Sequence, residues 1–61
     1  MTDARGEGAI RIVLADDQPI IRQGLKYMID TQRDMKVVGE AGNGEEAVSV
    51  VLSARPDLVL M

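Results

Sequence analysis

The chain has 61 residues, no cysteine and no histidine, and a formal net charge of −3. These features exclude disulfide bonds, a structural zinc site built on Cys or His, and a Cys or His nucleophile. The acidic balance argues against direct nucleic-acid binding by this segment, and no apolar run approaches the roughly 20 residues of a membrane span, so we expect a cytoplasmic protein.

The first predicted element is a strand over residues 10–15. A polar, Gly-rich stretch over residues 1–9 precedes it, and we expect that stretch to be a disordered tail. Residues 10–15 are apolar except for Arg11, which is typical of a strand buried on both faces. Two acidic residues, Asp16 and Asp17, end this strand.

A helix is predicted to begin at Pro19, because the missing N–H of proline is harmless in a first helical turn. Asp17 or Gln18 would be its N-cap, and the helix should end near Asp30 or Thr31. The apolar side chains in this segment recur at helical spacing and predict one buried stripe, formed by Ile21, Leu25, Met28 and Ile29.

Gly24 lies inside this helix, where glycine costs about 1 kcal/mol relative to alanine. A glycine there indicates that the helix backbone packs closely against a neighbour. Arg22, Lys26 and Arg33 are interpreted as part of a solvated face, with contact to an acidic partner as the alternative. The methionines of this region, Met28 and Met35, are predicted to be core residues.

The second half of the chain predicts a strand, a helix and a strand. Residues 35–40 form a more polar strand, as expected at a sheet edge. A turn follows over residues 42–44, and Asn43 with Glu46 three residues later is a capping-box arrangement that starts a helix. The predicted buried face of this helix comprises Ala47, Val48, Val51 and Leu52. The Arg55–Pro56 pair ends the helix, and residues 57–61 form the third strand.

This β-α-β-α-β order predicts a parallel sheet with right-handed crossovers. The fold class is therefore α/β, with a doubly wound parallel sheet. The chain stops inside an apolar strand and has two helices for three strands, so we expect residues 10–61 to be the first half of a domain.

The adjacent carboxylates of Asp16 and Asp17 allow two interpretations. Aspartate is a preferred helix cap, so one could cap the first helix while the other is solvated. If the first strand is central, however, the pair lies outside the carboxyl end of a strand where the strand order reverses, which is where open parallel sheets bind ligands. Two adjacent carboxylates at that edge favour a hard divalent cation, and Mg²⁺ fits best.

Residues 42–47, GNGEEA, formally match the G-x-G-x-x-A fingerprint of dinucleotide sites. The match follows the second strand instead of the first. Glu45 and Glu46 also occupy the helix N-terminus where a pyrophosphate would have to bind, and they would repel it. We therefore interpret this segment as a turn and helix cap.

Three segments together resemble the receiver domain of bacterial two-component response regulators. They are IVLADDQP at residues 12–19, VVGEAGNGEEA at residues 37–47 and RPDLVLM at residues 55–61. Arg22 with Gly24 and Leu25, and the VVGEA stretch, are similar to the subfamily whose receivers precede a LuxR-type helix-turn-helix DNA-binding domain.

The resemblance implies a flavodoxin-like receiver fold with strand order 2-1-3-4-5, of which this chain holds the first three strands. It implies that Asp16 and Asp17 hold Mg²⁺, with Asp17 as the direct ligand and Asp16 acting partly through water. The phosphoacceptor Asp is expected immediately after Met61, so no catalytic residue is assigned within the chain, and Asp57 lies at the wrong end of its strand.

The resemblance also implies partners and an output. A sensor histidine kinase would donate the phosphoryl group, phosphorylation would promote a homodimer, and a C-terminal domain absent from this chain would bind DNA. Two other functions stay open. One is a Mg²⁺-dependent phosphate-ester hydrolase of similar topology, for which an Asp-x-Asp arrangement would be expected instead of adjacent acids. The other is an inert structural fragment.

Overall fold

A computed structural model describes residues 8–61, which form one parallel sheet flanked by two helices. The elements in chain order are β1 (Ile10–Ala15), α1 (Pro19–Asp30), β2 (Met35–Ala41), α2 (Gly44–Ala54) and β3 (Leu58–Leu60). The predicted tail lies outside the described residues except for Gly8 and Ala9, which precede β1. Within residues 8–61 neither helix is long and apolar enough to cross a lipid bilayer.

The sheet has the order β2-β1-β3, with both neighbours parallel to β1. The predictions that the first strand is central and that the second lies at an edge are therefore confirmed for the described part of the chain. Leu14 pairs with Leu60 on one side and with Glu40 on the other. The β1–β2 register shifts between Ile12 and Val13, so one residue of β2, Val38, has no partner opposite it.

The two faces of β1 contact different helices, because successive side chains of a strand point to opposite faces. Ile12 and Leu14 form one buried cluster with Ile29 of α1. The half-buried side chains packed against that cluster are Leu25, Met35, Val37 and Leu60. Met35 thus packs in the core, as predicted.

The other face carries smaller residues. Ala15 and Ala41 of the sheet form a buried cluster with Ala47 of α2, and Val50 and Val59 pack against it. Small side chains on this face let α2 approach the sheet closely. The approach is tightest where Val50 lies over Gly39.

Both helices are rotated relative to the predicted stripes. In α1, Ile29 is buried and Leu25 is half-buried, but Met28 is 64% exposed and Ile21 is 45% exposed. The prediction that Met28 is a core residue is therefore wrong. The side of α1 that faces the sheet carries Arg22, Leu25 and Ile29, which are spaced three and four residues apart.

Helix α2 is likewise rotated relative to its predicted buried face. Ala47 is buried and Val51 is half-buried, as predicted, but Val48 is 62% exposed and Leu52 is 73% exposed. The helix faces the sheet through Ala47 and Val50, and this leaves Val48 and Leu52 at its side. Together with β3 they form an open apolar groove, lined by Gly44, Ala47, Val48, Val51, Leu52, Val59 and Met61.

The ends of the helices follow local sequence signals. Pro19 is the first residue of α1, and Gln18 is its N-cap residue in an extended conformation without a side-chain cap bond. Arg55 ends α2 in the left-handed region, with φ 50°, immediately before Pro56. The chain reaches β3 through Asp57, whose backbone N–H donates to the carbonyl of Arg11 (2.8 Å).

Candidate metal centre at the carboxyl ends of the strands

Asp16 and Asp17 follow the last residue of the central strand directly. Because β1 and β3 are parallel, the carboxyl end of β3 lies at the same edge of the sheet. The strand order reverses at β1, because β2 lies on one side of it and β3 on the other. Ligands of open α/β sheets bind in the crevice outside the carboxyl ends of the strands at such a reversal. The predicted location of the acid pair is confirmed.

Asp16 is fixed through its backbone and its side chain. Its N–H donates to the carbonyl of Ala41 (3.0 Å), which continues the pairing with β2. Its Oδ1 accepts the N–H of Gln18 (2.8 Å), an Asx turn that directs the chain into α1. Its carbonyl oxygen accepts a hydrogen bond from Nη1 of Arg22 (2.6 Å). Its Oδ2 accepts no hydrogen bond from residues 8–61.

Asp17 is exposed and makes no hydrogen bond or ion pair with any residue of the described range 8–61. It does not cap α1, and the turn at Gln18 is stabilised by Asp16 instead. Within the described part of the chain, both oxygens of Asp17 and one oxygen of Asp16 are therefore without a hydrogen-bond partner.

These oxygens match the ligand chemistry of a hydrated Mg²⁺ ion, which binds through one or two carboxylates and keeps several waters. Residues 8–61 contain no cluster of three or more His, Cys, Asp or Glu side chains with metal-site geometry. Residues 8–61 thus contribute the two carboxylates of Asp16 and Asp17, and the remaining ligands would come from water or from other groups. The assignment of Mg²⁺ to Asp16 and Asp17 stays a prediction.

Arg22 also lies at this edge of the sheet, and the prediction that it belongs to a solvated helix face is wrong. It is not part of a solvated face, since its side chain is only 22% exposed and its Nε lies 3.5 Å from Oε1 of Glu40. Lys26 approaches the other oxygen of the same carboxylate, with Nζ–Oε2 at 3.6 Å. Arg33 is exposed, as expected. The sequence does contain an indication of this position. Arg22 is spaced three and seven residues from Leu25 and Ile29, which places all three on the sheet-facing side of α1.

The Gly42–Asn43–Gly44 segment is a turn and a helix cap, as interpreted. Oδ1 of Asn43 accepts the N–H of Glu46 (2.9 Å), and Oε1 of Glu46 accepts the N–H of Gly42 (2.7 Å). The carboxylate thus reaches one residue before the cap residue, a variant of the predicted capping box. Because Glu46 already takes the Gly42 N–H, this turn does not offer a phosphate site.

Asp57 lies at the opposite edge of the sheet. Its Oδ2 accepts the backbone N–H of Arg11 (2.9 Å), next to the first residue of β1. The side chain of Arg11 in turn donates to the carbonyl of Ala54 at the end of α2. Asp57 is therefore a structural residue that joins the starts of β1 and β3, remote from the acid pair.

The chain matches a known protein family and several characterised or named relatives. Residues 12–61 match the response regulator receiver domain family. The chain is 48% identical over 52 residues to the uncharacterized transcriptional regulatory protein YxjL of Bacillus subtilis, covering 85% of this chain and 24% of that protein. It is 46% identical over 50 residues to the nitrate/nitrite response regulator protein NarL of Escherichia coli K12, covering 82% of this chain and 23% of that protein. The chain thus spans about a quarter of the length of these curated relatives.

A solved structure shares the fold. The crystal structure of the response regulator domain of Thermotoga maritima CheB superposes with a TM-score of 0.82 and 45% sequence identity. The superposition covers 84% of this chain and 38% of the other. The three strands and two helices described above therefore correspond to the first part of a flavodoxin-like receiver fold.

Proposed function

The chain belongs to the response regulator receiver family, and on that premise we propose that it is part of a Mg²⁺-dependent phosphoryl-accepting module. In this proposal a sensor histidine kinase supplies the phosphoryl group. The observation that carries the proposal is the acid pair Asp16–Asp17 at the carboxyl end of the central strand, with three carboxylate oxygens that accept no hydrogen bond within residues 8–61.

Asp17 holds the metal directly in this proposal, because neither of its oxygens accepts a hydrogen bond from residues 8–61. Asp16 acts partly through water, since its Oδ1 is already bonded to the N–H of Gln18. When bound, Mg²⁺ would offset the negative charge of the acceptor and of the phosphoryl oxygens. The chain's own part is to hold two carboxylates at a fixed point of a rigid sheet.

The sheet register supports an acceptor at the end of β3. Leu60 pairs with Leu14, so a residue that followed Met61 in the same strand would stand beside Asp16. We propose that position for the phosphoacceptor. Asp57 is unsuitable, because its carboxylate is bonded to Arg11 at the other edge of the sheet.

The proposed output is regulation of transcription. The relatives YxjL and NarL bear the names of a transcriptional regulatory protein and of a response regulator. By analogy we propose a DNA-binding domain in the complete regulator, a homodimer formed on phosphorylation, and a cytoplasmic location. The adjacency of the two acids favours this function over the phosphate-ester hydrolase considered above.

The proposal is tested in a complete receiver. Residues 10–61 are joined to the remainder of the Thermotoga maritima CheB receiver, whose first part superposes on this chain. The chimera is incubated with a small acyl phosphate, with and without Mg²⁺, and phosphoryl uptake is followed by intact mass. We expect uptake that requires Mg²⁺ and falls on the order of 100-fold in Asp17→Asn, because the metal contributes several kcal/mol to such a transfer.

Asp34→Asn is the matched control, since it removes one exposed carboxylate at the other edge of the sheet. Uptake that is independent of Mg²⁺, or that is equal in Asp17→Asn and the unaltered chimera, would refute the proposal. Steady release of phosphate from phosphate esters would instead support the hydrolase.

A further inference from the structure

Arg22 occupies a position where a cation is disfavoured. It is the fourth residue of α1, close to the positive end of the helix dipole, and the first turn of α1 contains no acidic residue to compensate. Its side chain is nevertheless mostly covered. Contacts with other parts of the fold must therefore stabilise the Arg22 side chain at this position.

Those contacts join three parts of the molecule. Nη1 donates to the carbonyl of Asp16 at the end of β1 (2.6 Å), and Nε faces the carboxylate of Glu40 on β2 at 3.5 Å. Nε is buried and has no hydrogen-bond partner among residues 8–61, so its contact with Glu40 is an ion pair only. Nη1 also lies against Gly42, where a Cβ atom would be 3.2 Å away.

The carbonyl that Arg22 holds belongs to the peptide bond between Asp16 and Asp17. Residues 16–18 form the short loop between β1 and α1. At its other end, the Gln18 N–H donates to Oδ1 of Asp16. Asp17 itself has no bond within the described range 8–61, so its orientation depends on this peptide plane. We propose that Arg22 is a positioning residue, which fixes the Asp16–Asp17 peptide and so orients the Asp17 carboxylate toward a divalent cation.

This inference rests on the proposed function. For the loss of Arg22, electrostatics alone and a positioning role predict opposite changes in Mg²⁺ affinity. A guanidinium near a cation site repels the cation, so loss of its charge should tighten Mg²⁺ binding. Loss of a positioning contact should weaken it, as substitution of groups that orient metal ligands commonly does. The sign of the change in Mg²⁺ affinity therefore separates the two roles.

The experiment uses the whole chain and two matched substitutions. Arg22→Met and Lys26→Met each remove one positive charge that faces Glu40, but only Arg22 contacts Asp16. Mg²⁺ is titrated and followed by the amide signals of Asp17 and Gln18. We expect Arg22→Met to weaken Mg²⁺ binding about 10-fold, Arg22→Lys to recover part of the loss, and Lys26→Met to leave binding unchanged or slightly tighter.

A second readout needs no metal. Without Mg²⁺, Arg22→Met should accelerate hydrogen exchange at the Gln18 amide, while exchange at Leu14, buried in the central strand, stays the same. Equal acceleration at Leu14 would indicate general destabilisation and overturn the inference. So would tighter Mg²⁺ binding in Arg22→Met, or equal effects of Arg22→Met and Lys26→Met.

The two proposals can fail separately. If the unaltered chain does not bind Mg²⁺ but Arg22→Met still frees the Gln18 amide selectively, the metal assignment is wrong and Arg22 still positions the loop. If Mg²⁺ binds and requires Asp17 but is indifferent to Arg22, only the inference about Arg22 is wrong.

Discussion

Val50 occupies the space that any side chain at position 39 would need. A Cβ atom built on Gly39 would lie 2.5 Å from Cγ1 of Val50, well inside van der Waals contact. The contact fixes how closely α2 approaches β2. Gly39 also follows directly after the register shift in β2, at Val38.

Gly39→Ala should therefore destabilise the fold. Valine has little freedom to move aside because it is branched at Cβ, and overpacking of this kind costs about 1–3 kcal/mol. The measurement is the free energy of unfolding from urea titration. Val50→Ala combined with Gly39→Ala should recover part of the loss, because the two side chains share one space. Strictly additive effects of the two substitutions would contradict the contact.

Gly24→Ala should have the opposite effect. The sequence suggested close backbone packing at this glycine, but apart from the adjoining backbone of α1, no atom of residues 8–61 would lie within 4 Å of a Cβ atom there. Alanine should therefore raise stability by up to about 1 kcal/mol through its higher helix propensity. Thermal unfolding by circular dichroism measures the change. A lower melting temperature would indicate that this face of α1 is covered by another group.

Asn43→Ala should destabilise the start of α2. The Asn43 side chain accepts the N–H of Glu46, and loss of such a cap costs about 1 kcal/mol. Ser49→Ala, at an exposed position of the same helix, is the control and should not lower stability. Urea titration of both variants makes the comparison, and an equal response in the two would argue against the cap.

Local signals in the sequence located the elements well. Pro19 begins α1 and the Arg55–Pro56 pair ends α2, because proline restricts the backbone regardless of the rest of the fold. Likewise the apolar run over residues 10–15 was sufficient to identify a buried strand, whereas its central place in the sheet was implied only by the family resemblance.

The rotation of the helices could not be predicted in the same way. Periodicity indicates that a helix has an apolar side, but it does not say which of the apolar side chains face the sheet. Met28 and Leu52 are exposed because α1 packs through Leu25 and Ile29, and α2 through Ala47 and Val50. The role of Arg22 was hidden for a related reason. Its partner Glu40 lies on another element, and only the strand order brings the two together.

In the proposed function Asp16 and Asp17 hold a divalent cation, and a Mg²⁺ titration of the chain followed by calorimetry tests this most directly. We predict that Asp17→Asn abolishes measurable binding, that Asp16→Asn weakens it less because one Asp16 oxygen is committed to Gln18, and that Asp34→Asn leaves it unchanged. Equal Mg²⁺ affinity in the unaltered chain and in Asp17→Asn would contradict the account.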